Sequence, residues 1–175
     1  MALPDYFKQA LGTAVVWGEA SMSGQTALLS LDALADAAGR MGAAVDLGAL
    51  WRKWYSLSLW VETGTAPTAG NIVELFMACS VDNLNWPGKV TGSDAAYPTT
   101  VAANKKQLGN PANILVATND GTTVLKQAPV LWRPTARYVA PVVVNLLGQA
   151  FRDEATASNN DSRVILVPIE SSIED

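Results

Sequence analysis

The chain has 175 residues, and 49% of them are hydrophobic while only 16% are charged. A chain of this length can form one domain with a substantial core, and its sparse charge predicts that a partner covers part of its apolar surface. The net charge of −4 argues against binding to a nucleic-acid backbone, and the lack of histidine removes the commonest general base and metal ligand.

The first 25 residues are predicted to form an N-terminal arm or a short helix. Pro4 and Asp5 are typical of a helix start, and Tyr6, Phe7 and Leu11 would then share one face. A helix this short is not stable alone. An arm that docks on a neighbouring molecule is therefore an equal alternative.

The N-terminal segment lacks the basic start and the apolar stretch of a signal peptide. No apolar run reaches the ~18 residues that a membrane-spanning helix needs. We therefore expect a protein that is made in a cytoplasm and has no membrane partner.

Residues 26–170 carry the pattern of a β-structured domain, and residues 171–175 form an acidic tail. About eight strands are predicted, over residues 26–34, 43–47, 51–63, 72–80, 113–118, 122–126, 137–147 and 163–169. Residues 81–98 are predicted to be a long loop, and residues 99–111 are predicted to be irregular. The run Asn119-Asp120-Gly121 predicts a hairpin that joins the two strands on either side of it.

The spacing of the strands and turns predicts one antiparallel β-sandwich of jelly-roll type with an N-terminal arm. Apolar residues alternate along 51–63, which places one set in the core and the other outside. The run over 72–80 is apolar almost throughout, so we expect burial on both of its faces. Same-parity positions on the four clearest strands give the predicted core: Leu57, Leu59, Val61, Val73, Leu75, Met77, Val142, Val144, Val164 and Leu166.

No catalytic residue, cofactor or metal site is predicted. The sequence has no G-x-S-x-G, P-loop or dinucleotide-binding pattern. Cys79 lies in an apolar run and is expected to be a buried hydrophobe rather than a reactive thiol. Asp82 begins a stretch that superficially resembles an EF-hand loop, but the later ligand positions do not fit. A turn is the better interpretation, and a calcium site of another kind stays open.

Two chemistries of sugar recognition stay open as alternatives. Asp46, Glu62 and Glu74 lie on or beside predicted strands, and a converging pair of carboxylates is what a glycosidase requires. Solvated strand positions are the simpler interpretation. The six tryptophans could stack on a sugar, but they are spread along the chain and are equally typical of a core or a protein interface. A carbohydrate-binding β-sandwich module is therefore kept as an alternative.

The middle of the chain, from Ala43 to Trp86, has a characteristic order of features. A V-D-L-G turn is followed by an aromatic-rich strand that ends in Thr63-Gly64, by the strand IVELFMACS and by the loop SVDNLNWPG. This order resembles small virion structural proteins of tailed bacteriophages, in which a strand ending V-E-L-Y/F precedes S-x-D-G/N-x-N-Y/W-P. The later segments RYVAPVVVNLLGQAF and RVILVPI resemble the last two strands of such proteins.

The resemblance implies a non-enzymatic structural role in a virion. The implied subunit decorates or cements the capsid and binds the major capsid protein and further copies of itself, with a trimer as one arrangement. A neck, tail or baseplate subunit is the alternative position. The residues that we expect at the partner interface are Tyr6, Phe7, Leu11, Trp17 and Trp86.

Overall fold

The structure is a computed structural model that describes residues 8–11, 13–49, 51–98, 102–108, 113–116, 123–153 and 162–172. It is an all-β sandwich of two sheets, which confirms the predicted fold class, whereas the jelly-roll connectivity stays a prediction. The strands are β1 (Lys8–Leu11), β2 (Val15–Gly18), β3 (Ala27–Leu28), β4 (Gly39–Met41), β5 (Val45–Asp46), β6 (Trp54–Glu62), β7 (Ile72–Ser80), β8 (Ala95–Tyr97), β9 (Asn113–Val116), β10 (Val124–Lys126), β11 (Val130–Trp132), β12 (Tyr138–Leu146) and β13 (Arg163–Ser172). The described residues also contain two helices, a 3-10 helix (Pro87–Lys89) and the α-helix α1 (Ala102–Gln107).

The first sheet is built around β6 and β13. These strands pair antiparallel from Trp60 with Arg163 to Trp54 with Ile169. The strand order is β10-β6-β13-β2-β3, with β11 also paired to β6 and β1 also paired to β13. Within the described residues β2 and β3 form the one parallel pair. The predicted alternation of β6 is confirmed, because Leu57 and Leu59 are fully buried on the face toward the second sheet.

The second sheet is built around β7 and β12, which pair antiparallel along their full lengths, from Ile72 with Leu146 to Ser80 with Tyr138. Its strand order is β8-β4-β12-β7-β9, with β5 also paired to β12. Both central strands are apolar almost throughout, and both faces of this sheet are covered. The burial predicted for 72–80 is thereby confirmed.

One apolar cluster fills the space between the two sheets, and a second lies on the outer face of the second sheet. All ten predicted core residues are buried. Eight of them lie between the sheets, but Val142 and Val144 belong to the outer cluster. The reason is that alternate residues of β12 face opposite sides of the sheet, so Val139 and Val143 supply its contribution to the inner cluster.

Residues 81–98 and 102–108, which we call the covering segment, close the outer face of the second sheet. Val90, Tyr97 and Leu108 from this segment pack in the same cluster as Phe76 and Val142. The region was predicted to be irregular, but the α-helix α1 lies within it. Its six residues are too few for an autonomous helix. Packing of the segment on the sheet therefore stabilises the helix, which local sequence could not reveal.

Asp94 ties the covering segment to the rest of the sandwich. Its carboxylate accepts hydrogen bonds from Nε and Nη2 of Arg40 at 2.7 and 2.6 Å. It also accepts one from the amide of Ser30 at 3.0 Å and one from the Ser30 hydroxyl at 2.6 Å. Burial raises the pKa of Asp94, but the hydrogen bonds from Arg40 and Ser30 outweigh burial and hold that pKa below its ordinary value.

The predicted boundaries of the domain are wrong at both ends. Residues 1–25 were expected to be an arm or short helix, but Lys8–Leu11 and Val15–Gly18 are strands that pair with β13. The partner strand β13 is long, and its backbone supplies hydrogen-bond partners that the N-terminal segment lacks on its own. The segment therefore forms strands rather than a helix. Residues 1–7 lie outside the described residues. The tail also begins later than position 171, because β13 continues to Ser172.

Two strand predictions in the interior of the chain are also wrong. The strands on either side of 119–121 form no hairpin, because β9 pairs with β7 in the second sheet and β10 pairs with β6 in the first. In the stretch 26–34 only Ala27–Leu28 is a strand. The chain turns there instead, with Ala33 and Ala37 at φ values of 50° and 60°. The buried side chains that follow β3 therefore reflect packing of a turn rather than a strand.

Candidate protein interface

The strand register defines two ends of the sandwich. β6 and β7 are consecutive and lie in different sheets, so their connection at 63–71 lies at one end. The start of β6 and the end of β7 lie at the other. β11 ends and β12 begins there as well, because Trp132 pairs with Tyr55 and Tyr138 pairs with Ser80. We call this second end the open end.

Exposed large apolar side chains gather at the open end. Five of the six within the described residues lie at or next to it, with exposed fractions of 40% for Trp51, 42% for Trp54, 69% for Leu131, 77% for Val81 and 82% for Leu84. The sixth, Leu28, lies apart from them on the edge strand β3, where it pairs with Gly18. Such a gathering is typical of a protein interaction surface, whereas isolated exposed apolar residues are ordinary.

Val81 and Leu84 belong to a turn at residues 80–85 that is held by its own side chains. We call it the braced turn. Oδ1 of Asp82 accepts hydrogen bonds from the amides of Leu84 and Asn85, both at 2.9 Å, and Oδ2 accepts one from Nδ2 of Asn85 at 2.6 Å. The Ser80 hydroxyl lies 2.8 Å from the Asn85 carbonyl oxygen, to which it can donate.

These hydrogen bonds fix both the shape and the charge of the braced turn. The amides of Asn85 and Leu84 and the side chain of Asn85 lower the pKa of Asp82 well below its usual range. Asp82 is therefore a permanent carboxylate between two exposed apolar side chains. The interpretation of this stretch as a turn is confirmed, because the carboxylate is occupied by its own backbone.

A basic cleft of about 560 Å³ lies at the open end beside the first sheet. Trp51 and Lys53 line it from the chain that enters β6, and Arg133, Pro134 and Thr135 line it from the chain that leaves β11. Within the described part of the chain neither Lys53 nor Arg133 forms an ion pair. The cleft therefore combines an indole surface with two cations that have no anionic partner in the part of the chain that the structure describes.

A second, wider cleft of about 650 Å³ lies next to the braced turn, along residues 84–91. We call it the tryptophan cleft, because Trp86 lines it together with Asn85, Asn104 and Gln107. The indole N–H of Trp86 is buried and has no hydrogen-bond partner among the described residues. This nitrogen would lie only 2.9 Å from a Cβ added at Gly92, so the packing of the indole requires glycine there.

The outer face of the first sheet is screened by cations toward the end opposite the open end. Lys126 lies over the Trp60 ring with its Nζ 4.3 Å from the ring centroid, and the guanidinium of Arg163 lies 4.8 Å from the same centroid. Both contacts are cation–π interactions. Trp54 and Leu131, nearer the open end, have no such contact in the described structure.

The residues predicted for a partner interface are not brought together as one surface. Tyr6 and Phe7 lie outside the described residues, and Leu11 is placed only by its pairing with Ile169. Trp17 is wrong as an interface residue, because its side chain is fully buried and its indole N–H donates to the Ala43 carbonyl at 2.8 Å. Trp86 is partly exposed in its cleft. The sequence did not predict five residues of the open end as interface residues: Trp51, Trp54, Val81, Leu84 and Leu131.

The three carboxylates that were considered for a glycosidase pair do not converge. Asp46 pairs with Arg137 at 2.6 Å near the open end. Glu62 pairs with Arg152 at the opposite end, and Glu74 pairs with Lys105 on the outer face of the second sheet. The hydrogen bond from Arg137 lowers the pKa of Asp46. Each carboxylate is thus paired with its own cation at a separate place.

Cys79 is partly buried against the inner core.

The described residues contain no group of three or more Cys, Asp or Glu side chains that could hold a metal ion. Among the same residues, no helix combines the length and apolar character needed to cross a bilayer. Comparison of the chain with family models, with curated proteins and with solved structures gave no match.

Proposed function

We propose that this chain is a non-enzymatic structural subunit of a tailed-phage virion that decorates or cements the capsid, where it binds the shell and further copies of itself. The observation that carries the proposal is the gathering of five exposed large apolar side chains at the open end. A subunit that is stabilised by its neighbours keeps such a region for the assembled state. The phage context comes from the sequence resemblance alone.

The rigidity of the open end supports binding as its role. The braced turn is ordered by hydrogen bonds before any partner arrives, so Val81 and Leu84 lose little conformational freedom on binding. Trp54 stands on the longest pairing of the first sheet, at its pair with Ile169. A few well-packed side chains, tryptophan prominent among them, carry most of the energy of protein interfaces. A neck, tail or baseplate subunit would use the same surface, because the fold does not decide the position.

The test is the composition and reconstitution of phage particles. We expect the protein in purified particles at a copy number that matches the capsid lattice, and we expect the recombinant chain to rebind particles that lack it. Leu84→Ser should weaken rebinding, whereas Leu28→Ser, which changes an exposed apolar residue on the edge strand β3, should not. Absence from particles overturns the proposal. A tail-like copy number, or binding at one vertex only, replaces the cement role with the neck or tail role.

A second candidate function, carbohydrate binding, has one observation in its favour. The tryptophan cleft is lined by Trp86 and by Asn85, Asn104 and Gln107, residue types suited to a sugar ring and its hydroxyls. Titration with oligosaccharides, followed by tryptophan fluorescence, tests it. Saturable binding that is lost in Trp86→Ala and kept in Trp51→Ala would favour this function over the first.

A further inference from the structure

We propose that copies of this chain associate by seating the braced turn of one copy in the basic cleft of the next. The contact pairs Val81, Asp82 and Leu84 of the turn with Trp51, Lys53 and Arg133 of the cleft. The inference deepens that part of the proposed function in which copies bind one another. It concerns the purified chain and does not depend on which virion surface the protein occupies.

The braced turn has the chemistry of an inserting element. Leu84 and Val81 are the two most exposed large apolar side chains of the described protein, at 82% and 77%. Between them Asp82 carries a negative charge that its hydrogen bonds keep ionised. Because both oxygens of Asp82 already accept from the turn itself, its charge is fixed in position and available to a cation of a neighbour.

The basic cleft has the matching chemistry. Trp51, which is 40% exposed, offers an apolar surface, and Lys53 and Arg133 offer two positive charges that have no ion-pair partner within the described residues. Unpaired cations beside an apolar wall favour an occupant that is apolar and anionic at once. At about 560 Å³ the cleft has room for two aliphatic side chains.

The positions of the two elements permit a closed assembly. The turn extends β7 of the second sheet, and the cleft is formed where the chain enters β6 and leaves β11 of the first. Packed sheets lie about 10 Å apart, so the two elements stand side by side at the open end. A rotation axis near the open end would bring each turn to a neighbour's cleft, which gives a closed ring rather than an open chain. The same contact would cover the exposed apolar side chains at that end.

Two variants of the full chain, one altered only in the braced turn and one altered only in the basic cleft, test the contact. We call them one-sided variants, and their self-association is measured by sedimentation velocity over a range of concentrations. Leu84→Ser removes the inserting side chain, and a double variant, Lys53→Glu with Arg133→Glu, reverses the charge of the cleft. We expect each to raise the dissociation constant for self-association about tenfold or more, as loss of an interface anchor does. Leu28→Ser should associate as the wild type does, and circular dichroism should show all variants folded.

Mixing the two one-sided variants gives the decisive result. Each mixture still contains one intact turn and one intact cleft, so it should form a heterodimer that neither variant forms alone. Added salt should weaken the wild-type association, because the contact joins opposite charges. Self-association of the variants at wild-type strength, or failure of the mixture to pair, overturns the inference. A wild-type chain that stays monomeric but binds particles would overturn this inference and leave the proposed function standing.

Discussion

Replacing Asp94 with Asn tests whether one carboxylate holds the covering segment on the sandwich. Hydrogen bonds to a charged group contribute about 1.5–3 kcal/mol each in isolation, but bonds that share one carboxylate are not additive. The Asp94 side chain is 11% exposed, and that of Arg40 is 27% exposed, so water can recover part of the loss. We therefore expect Asp94→Asn to lower the free energy of unfolding at neutral pH by about 2–4 kcal/mol.

Asp46→Asn is the matched control for this substitution. Asp46 makes the same two-bond contact with Arg137, at 2.6 Å for each bond, but the two side chains are 41% and 39% exposed. An exposed pair of this kind is expected to contribute much less to stability than the buried pair, because water screens it. Urea unfolding of both variants measures the difference. Equal losses for the two substitutions would refute the reasoning, because burial would then have no influence on the contribution of the pair.

The pH dependence of the Asp94→Asn effect is a second measurement on the same variants. The folded state lowers the pKa of Asp94 below its ordinary value of 3.8. The contribution of Asp94 is therefore complete above that value and is lost as the pH falls toward the folded-state pKa. We expect the stability gap between wild type and Asp94→Asn to be constant near neutrality and to narrow below about pH 4. A gap that widens in acid would show that the sign is wrong.

Three further predictions concern the core, the covering segment and the N-terminus. Leu59→Ala should lower the free energy of unfolding by about 2–5 kcal/mol in urea titrations, while Leu84→Ala, which removes an exposed side chain, should change it by no more than about 0.5 kcal/mol. Gly92→Ala should destabilise by about 1–3 kcal/mol and shift the Trp86 fluorescence, because φ is +74° and the new Cβ meets the indole; an unshifted spectrum would contradict this packing. Removal of residues 1–7 should leave the melting temperature nearly unchanged and weaken attachment to a neighbour, and loss of folding would instead place this segment in the core.

Long strands could be predicted from the sequence because their pattern is local. In β6, apolar residues alternate over nine positions, and β7 and β12 are apolar almost throughout, so type and burial could both be deduced. The extent of short strands could not be predicted, because two residues carry no period: the strand predicted over 26–34 is only Ala27–Leu28, and the one predicted over 43–47 is only Val45–Asp46. The Asn-Asp-Gly run predicted a hairpin because it is typical of a tight turn, and the hairpin prediction failed because only the turn is encoded locally. A turn sequence gives no information on which sheet the following strand will enter.

The candidate interface was harder to predict than the fold. The alternation along β6 placed Trp54 on the face away from the core, and the structure leaves it exposed. Trp17 was misassigned because its strand has four residues and is buried only through its pairing with β13. Val81 and Leu84 carry a usable signal, since apolar side chains in a polar Asp-Asn turn have no strand face to hide on. Val81 and Leu84 are about thirty residues from Trp51 in sequence, so only the strand register shows that all three lie at the same end of the sandwich.

In the described part of the chain, cations cover the ring of Trp60 but not that of Trp54. This difference explains why the candidate surface is the open end and not the whole outer face of the first sheet. Trp60 and Trp54 stand on the same face of β6, six positions apart. Lys126 and Arg163 cover the Trp60 ring from the neighbouring strands β10 and β13, and their aliphatic stems shield apolar surface while their charges stay in water. At the open end the comparable cations, Lys53 and Arg133, line a cleft instead of covering a ring. A partner therefore meets solvated charge at one end of the sheet and accessible apolar surface with unpaired cations at the other, which favours docking at the open end.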